Sequence, residues 1–152
     1  MDEPTLRRAV PGDADHLADL AQAAYAPYVG RMQGRRPAPM DADYPRSVAQ
    51  DVVWVAEVDA EVAGFLVLVD EQGVTLVENV AVAPRWQGRG LGQRLMALAE
   101  QHARETGAGT VRLYTNVVMT DNLRLYAALG YAEVDRRGDS GFERVFMEKA
   151  LD

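Results

Sequence analysis

Residues 80–92 have the sequence Val-Ala-Val-Ala-Pro-Arg-Trp-Gln-Gly-Arg-Gly-Leu-Gly. An apolar run ends at Pro84, glycines follow at positions 88, 90 and 92, and apolar residues then recur at helical spacing. This order predicts a strand, a glycine-rich turn and a helix. The first turn of a helix has backbone N–H groups without intrahelical partners, and glycines there let phosphate oxygens approach them. The stretch therefore predicts an anion-binding turn. Positive charge around it comes from Arg85, Arg89 and Arg94.

Spacing separates three motifs that bind phosphate in this way. A Walker loop ends in Gly-Lys-Ser/Thr, but this turn ends in Leu91-Gly92-Gln93 and the chain's only lysine is Lys149. A dinucleotide fingerprint needs an acidic residue about twenty positions on, and the next predicted strand ends at Asn116 without one. The third pattern, Gln/Arg-x-x-Gly-x-Gly/Ala, is matched by Gln87, Gly90 and Gly92. A glycine turn that merely starts a helix is the structural alternative.

The rest of the chain alternates strands and helices in the order βααβββαβαββ. Predicted strands cover residues 5–10, 52–58, 62–70, 74–83, 110–116, 131–137 and 142–149. Predicted helices run from Pro11-Gly12-Asp13 to about Tyr28, shortly after Pro45, from the glycine turn to Gly107, and over residues 121–129. Residues 30–44 predict a long ordered loop or lid, and residues 138–141 a hairpin turn. This order predicts an α+β three-layer sandwich over one domain, residues 1–152, with helices on both faces of a mixed, mostly antiparallel sheet.

Two motifs in this order resemble those of the GNAT family of N-acetyltransferases. The glycine turn is similar to the family's acetyl-CoA-binding motif. Residues 122–131, Asn-Leu-Arg-Leu-Tyr-Ala-Ala-Leu-Gly-Tyr, are similar to its Asn-x-x-x-Tyr-x-x-x-Gly-Phe/Tyr segment. The resemblance covers nearly the whole chain. It implies an acetyl-CoA-dependent transfer of an acetyl group to a small primary amine by direct attack in a ternary complex. The alternative is a noncatalytic CoA-binding sensor.

The resemblance also implies which residues bind acetyl-CoA. Backbone amides where the fourth and fifth strands diverge would bind the pantetheine arm and polarise the thioester carbonyl, and the glycine turn would hold the pyrophosphate. The expected contacts are Val80, Ala81 and Val82 for the arm, Gln87, Gly88, Arg89, Gly90, Leu91, Gly92 and Gln93 for the pyrophosphate, and Asn122 and Tyr126 on the next helix.

Two side chains are candidate catalytic groups. Tyr126 follows Asn122 by four residues, so both lie on one helix face, and its hydroxyl could protonate the departing thiolate. Its structural alternative is a core aromatic residue. Glu78 interrupts an apolar strand, and strand alternation sends Glu78 and Asn79 to opposite faces. As a base acting through water, Glu78 could deprotonate the ammonium; its alternative is an ion pair with an arginine such as Arg112.

The lid predicted over residues 30–44 fits where the family binds its acceptor. We expect an apolar wall there, with Asp41 or Asp43 attracting a cationic amine. The candidate acceptor contacts are Tyr28, Met40, Tyr44, Asn79 and Asn116.

Composition excludes several other classes of function. The net charge of −7 argues against nucleic-acid binding, and the lack of cysteine excludes disulfides, thiolate metal sites and a cysteine nucleophile. Ser47 and Ser140 have no neighbouring histidine, and His16 and His102 fit capping or packing better than metal binding, so no metal is expected.

The amino terminus lacks a signal pattern and the longest apolar stretch, residues 62–69, is too short to span a bilayer, which predicts a cytoplasmic protein without membrane contact. The acceptor is expected to be a small-molecule or peptide amine. A homodimer is one expected assembly, because dimers are common in such families.

Overall fold

The computed structural model describes residues 3–139 and 142–152, and its elements follow the predicted order. The strands are β1 (Thr5–Arg8), β2 (Val52–Val58), β3 (Glu61–Glu71), β4 (Val74–Val82), β5 (Thr110–Asn116), β6 (Ala132–Asp139) and β7 (Phe142–Ala150). The helices are α1 (Ala14–Val29), α2 (Tyr44–Gln50), α3 (Leu91–Thr106) and α4 (Thr120–Ala128). None of the helices described is long and apolar enough to cross a membrane.

The strands form one sheet in the order β1-β2-β3-β4-β5-β7-β6. Neighbouring strands are antiparallel except for β4 and β5, which are parallel. The parallel pair is short, because it begins at Val74 opposite Thr110 and ends at Val77 opposite Leu113. Beyond that point the two strands separate, so the sheet opens into a gap at its centre.

Helices cover both faces of the sheet, which confirms the predicted α+β three-layer sandwich. On one face, α3 and α4 pack on a core that includes Leu66, Leu68, Val111 and Leu95. On the other face, α1 and α2 pack on a second core that includes Phe65 and Val67. Strand β3 supplies both cores with alternating residues, as its uninterrupted apolar sequence requires.

Besides shifts of one or two residues at several strand and helix ends, three differences from the predictions stand out. Residues 30–44 include two short 3-10 turns, Gly30–Met32 and Ala38–Asp41, so much of the segment has local hydrogen bonding. Helix α2 begins at Tyr44, before Pro45, because the Asp43 carboxylate caps it by accepting from the Arg46 N–H (3.1 Å). Gly138 and Asp139 belong to β6 rather than to a turn, since they pair with Glu143 and Phe142. The remaining turn residues, Ser140 and Gly141, lie outside the described residues.

Candidate active site

The gap between β4 and β5 exposes backbone groups of β4. The Ala83 N–H donates to the Ala63 carbonyl on β3 (2.8 Å). Because antiparallel pairs alternate in their hydrogen bonding, the Ala81 backbone also faces β3, whereas Val80 and Val82 face the gap. The gap-side carbonyls accept from side chains, Val80 from the Tyr25 hydroxyl and Val82 from Gln87 Nε2, each at 3.0 Å. The expectation for Ala81 is therefore corrected: its amide is directed at β3, and only Val80 and Val82 present amides to the gap.

The glycine turn joins β4 to α3 in a shape that favours glycine. Gly88 and Gly90 have φ of 78° and 83°, the left-handed region that side chains disfavour, and Gly90 is the residue that precedes α3. The first bond of the helix runs from the Arg94 N–H to the Gly90 carbonyl (3.2 Å). The N–H groups of residues 91–93 precede that bond, so they point out of the positive end of α3.

A cavity of about 480 Å³ connects the glycine turn to the gap, and we call it the donor cavity. Eleven of the twelve predicted acetyl-CoA contacts line it. They are Val80, Ala81, Val82, Gln87, Gly88, Gly90, Leu91, Gly92, Gln93, Asn122 and Tyr126.

The arginines around the turn contribute less to the donor cavity than the sequence suggested. Arg89 is not part of the cavity wall, because its guanidinium lies over the Trp86 ring, 5.0 Å from the centroid. Arg85 pairs with Glu61, and Arg94 donates to the Pro4 carbonyl. At this turn the backbone amides of the helix start, rather than the arginine side chains, are thus the groups that point into the donor cavity.

A second cavity of about 470 Å³ lies on the α1 and α2 side of the sheet, and we call it the acceptor cavity. Tyr44 and Asn116 line it, as predicted, and Asp43 lines it too. Met40 does not, because its side chain is buried in the α1 and α2 core, and Asp41 pairs with Arg36 instead (2.9 Å). Tyr28 lines the donor cavity rather than the acceptor cavity, since it lies near the end of α1.

The two cavities share four residues: Tyr25, Val80, Asn122 and Tyr126. Tyr126 is buried, and burial raises the pKa of its hydroxyl well above the ordinary value, with the nearby Tyr28 adding to the effect. The hydroxyl therefore stays protonated and remains a donor throughout the neutral range. Asn122 lies one helical turn earlier, and its Nδ2 is 3.7 Å from the Met119 sulfur. The sequence motif has thus brought its two polar residues to the meeting point of the cavities.

A β-bulge in β4 determines where Glu78 points. Val67 on β3 pairs with Asn79, and the next residue, Leu68, pairs with Val77, which leaves Glu78 as the extra residue. Alternation is interrupted there, so Glu78 and Asn79 both line the acceptor cavity. The prediction of opposite faces is therefore wrong, because it assumed an unbroken strand.

Partial desolvation and two charged neighbours act on the pKa of the Glu78 carboxyl. Burial raises its pKa above the ordinary value, the Asp51 carboxylate raises it further, and Arg46 acts in the opposite direction. The suggested partner Arg112 binds Glu148 on β7 instead (2.6 Å), so it is not the ion-pair partner of Glu78. Within residues 3–139 and 142–152, no ion pair involves Glu78.

Asn79 is a structural junction as well as part of the cavity wall. Its side-chain N–H donates to the Tyr44 hydroxyl (2.9 Å), and its Oδ1 lies 3.0 Å from the Tyr25 hydroxyl. Tyr44 in turn donates to the Pro39 carbonyl (2.5 Å), and burial raises the pKa of Tyr44 to about 12. The amide thus joins α1, β4 and α2 to the segment before α2, so its polar atoms are engaged within the protein.

Three residues at or beside the two cavities were not predicted from the sequence. Tyr25 lies in the apolar face of α1, so its hydroxyl gave no separate signal. Gly64 interrupts an apolar strand, the known sign of a close approach: a Cβ there would lie 3.0 Å from the Ala81 carbonyl and 3.1 Å from a Leu91 methyl. Arg144 lines the acceptor cavity from β7, and its place in a predicted strand gave no signal of a role there.

Comparisons with known proteins agree with this geometry. The model of the acetyltransferase (GNAT) family matches residues 17–131. A mycothiol acetyltransferase of Nocardiopsis dassonvillei is 40% identical over 45% of this chain and 21% of its own length. An aminoalkylphosphonate N-acetyltransferase of Salmonella typhimurium is 35% identical over 38% of this chain and 37% of its own length. The chain thus spans well under half of these relatives.

The fold is shared over a greater length. The crystal structure of the PaiA N-acetyltransferase from Thermoplasma acidophilum in complex with coenzyme A superposes with a TM-score of 0.85 at 16% identity, covering 99% of this chain and 100% of the other. The protein belongs to the GNAT acetyltransferase family.

Proposed function

We propose that this protein transfers the acetyl group of acetyl-CoA to a small primary amine by direct attack in a ternary complex. The observation that supports this most strongly is the meeting of the two cavities at Tyr126, with the anion-binding turn at one end and Glu78 in the other cavity. The Salmonella relative is named for N-acetylation of an amine, and the Thermoplasma structure contains coenzyme A.

The residues present fit the proposed cosubstrate. The left-handed Gly88 and Gly90 and the free first-turn amides of α3 suit a pyrophosphate. The gap-side backbone of Val80 and Val82 suits an extended arm with alternating amides, which would add as a partial strand. When bound, acetyl-CoA supplies an activated acyl group on a thiol leaving group.

The chain's own residues supply the proton transfers. Glu78 accepts a proton from the acceptor ammonium through water, which frees the nitrogen lone pair. The nitrogen forms a bond to the acetyl carbon, the carbon–sulfur bond breaks, and the sulfur keeps its electron pair. The sulfur takes up a proton from the Tyr126 hydroxyl, which is reprotonated from water. The second nitrogen proton and the proton held by Glu78 leave to water, so one proton is released in each turnover. The products are an N-acetyl amine and coenzyme A.

Two measurements test this proposal. Acetyl-CoA at about a hundredfold above its Kd should stabilise the fold by roughly 2.7 kcal/mol, which raises the melting temperature by roughly 5–10 °C. Release of free thiol in the presence of a panel of primary amines should then identify turnover. A shift with acetyl-CoA but no thiol release with any amine would favour the noncatalytic sensor. A shift with NAD and none with CoA would refute both.

A further inference from the structure

The acceptor cavity contains an arginine that the proposed transfer does not use. Arg144 lies on β7 next to Val145, which points into the α3 and α4 core. Arg144 therefore points to the opposite face, the one that carries Glu78. Its guanidinium lies over the Tyr114 ring, 5.4 Å from the centroid, so the cavity wall holds the charge in place.

The other arginines of this cavity have partners. Arg36 binds Asp41 (2.9 Å), and Arg46 donates to Gln50 (3.2 Å) while it also acts on Glu78. Neither Arg46 nor Arg144 forms an ion pair among the side chains that the structure describes, residues 3–138 and 143–152. Arg144 differs from Arg46 in having no side-chain hydrogen bond there either, so its contact with Tyr114 leaves its N–H groups available. A partly buried guanidinium with an aromatic face and free N–H donors is suited to bind an oxyanion.

The charges of the cavity are also separated in space. On the β4 and α2 side, the three carboxylates of Glu78, Asp43 and Asp51 line the wall together with the single guanidinium of Arg46, so that side carries a net negative charge. Arg144 lies on the far side, since β5 separates β4 from β7 in the sheet. Two strand spacings give a separation on the order of 10 Å between these walls. The cavity is thus negative where the amine must lose its proton and positive at the opposite end.

We propose that the acceptor is a small zwitterionic amine, with its ammonium group at Glu78 and an oxyanion, carboxylate or phosphonate, bound by Arg144. This rests on the proposed function and adds the class of acceptor to it. Arg144 acts through substrate binding and selects for the anionic end. It takes no part in the proton transfers.

Matched pairs of amines test the selection. An ω-amino carboxylate of four to six carbons is compared with its primary amide, and an aminoalkylphosphonate with the amino alcohol of equal chain length. In the wild type, kcat/KM should be at least about tenfold higher for the anionic member of each pair. Arg144→Met keeps much of the apolar stem and removes the charge. It should raise KM for the anionic amines by about tenfold to a hundredfold and leave the neutral amines and the KM for acetyl-CoA unchanged.

Arg137→Met is the matched control. Arg137 lies on β6 over the Phe146 ring (4.7 Å), outside the cavity, and pairs with Asp135, so the same substitution there should alter neither class of amine. A wild type that prefers the neutral member of each pair, or an Arg144→Met variant that loses both members equally, would overturn the inference while leaving acetyl transfer intact.

If no thiol is released with any amine, the proposed function fails. The role of Arg144 in binding the acceptor is then tested by ligand binding alone. The ω-amino carboxylate should then raise the melting temperature of the wild type in the presence of CoA and not that of Arg144→Met. An equal response of the two proteins, or none, would overturn it.

Discussion

Tyr126 is placed to test the chemistry directly, because it lines both cavities and its pKa is raised by burial. Tyr126→Phe removes only the hydroxyl. Turnover should fall on the order of a hundredfold while acetyl-CoA still shifts the melting temperature, since the loss concerns the leaving group alone. Steady-state kinetics beside thermal shift separates the two effects.

Tyr131→Phe serves as the control for Tyr126. Its hydroxyl donates to Glu100 within the core (3.2 Å), away from both cavities, so its loss should lower stability and spare turnover. Unchanged turnover in Tyr126→Phe would make Tyr126 a core aromatic residue.

Glu78 should give the pH profile an acidic limb. Because its pKa is raised, the limb of kcat/KM should lie above the ordinary glutamate range, with activity lost as the pH falls and the carboxylate takes up a proton. Glu78→Gln should lower turnover by about tenfold to a hundredfold at pH 7 and remove this limb, and the rate should recover as alkaline buffer deprotonates the amine. A raised pKa means that ionised Glu78 does not stabilise the fold, so the variant should keep its melting temperature at neutral pH. A variant that melts earlier but keeps its rate and profile would show a structural carboxylate.

Two charged neighbours should shift the pKa of Glu78 in opposite directions, which tests whether Glu78 is the group that titrates. The negative charge of Asp51 raises the pKa of Glu78, so Asp51→Asn should move the acidic limb to lower pH. The positive charge of Arg46 lowers that pKa, so Arg46→Gln should move the limb to higher pH. If the acidic limb moved in the same direction in both variants, Glu78 would not be the group that titrates.

The start of α3 carries two glycines whose substitution should have different effects. Gly90 has φ of 83°, so Gly90→Val should both strain the turn and block phosphate. A Cβ at Gly92 would make only ordinary contacts, 3.6 Å from Leu125 and 3.9 Å from Val82. Gly92→Val should therefore remove the thermal shift by CoA with a smaller loss of stability than Gly90→Val. Gly12→Val is the control for replacing a glycine by valine, because a Cβ at Gly12 would have no neighbour within 4 Å. Equal CoA binding in Gly92→Val and wild type would contradict the anion-binding turn.

Across the whole molecule, Asn79 joins elements that are distant in sequence. Asn79→Ala would leave the buried Tyr25 and Tyr44 hydroxyls without that partner, which should cost about 1–3 kcal/mol and several degrees of melting temperature. The loss should raise KM for the amine more than for acetyl-CoA, because Tyr44 lines only the acceptor cavity. Gln101→Ala, which removes an amide from the exposed face of α3, is the control and should change neither. Equal effects on the two KM values would show that the network serves stability alone.

Short-range physics is enough to predict the elements. Strand alternation and the glycines at both ends of α3 are local properties, and they predicted the order of elements and the layers. The donor-side residues were predicted from two motifs that resemble those of the GNAT family, and eleven of the twelve predicted acetyl-CoA contacts line the donor cavity. The one exception, Arg89, failed because an exposed arginine can reach several partners and here lies over Trp86.

The acceptor side depended on the tertiary structure, because its contacts join residues far apart in the chain. A bulge in the pairing of β4 with β3 places Glu78 on the same face as Asn79. Arg112 pairs with Glu148 and is therefore not a partner of Glu78. Met40 was drawn into the core and Tyr28 to the donor cavity by the way α1 and its following segment pack on the sheet. Arg144 entered the site only because β7 inserts between β5 and β6. The sequence alone determined the order of elements through local periodicity, and it indicated the donor-cavity residues through two motifs that resemble those of the GNAT family. The register of the sheet and the competition among partners, which no local pattern records, decided which charges face the acceptor.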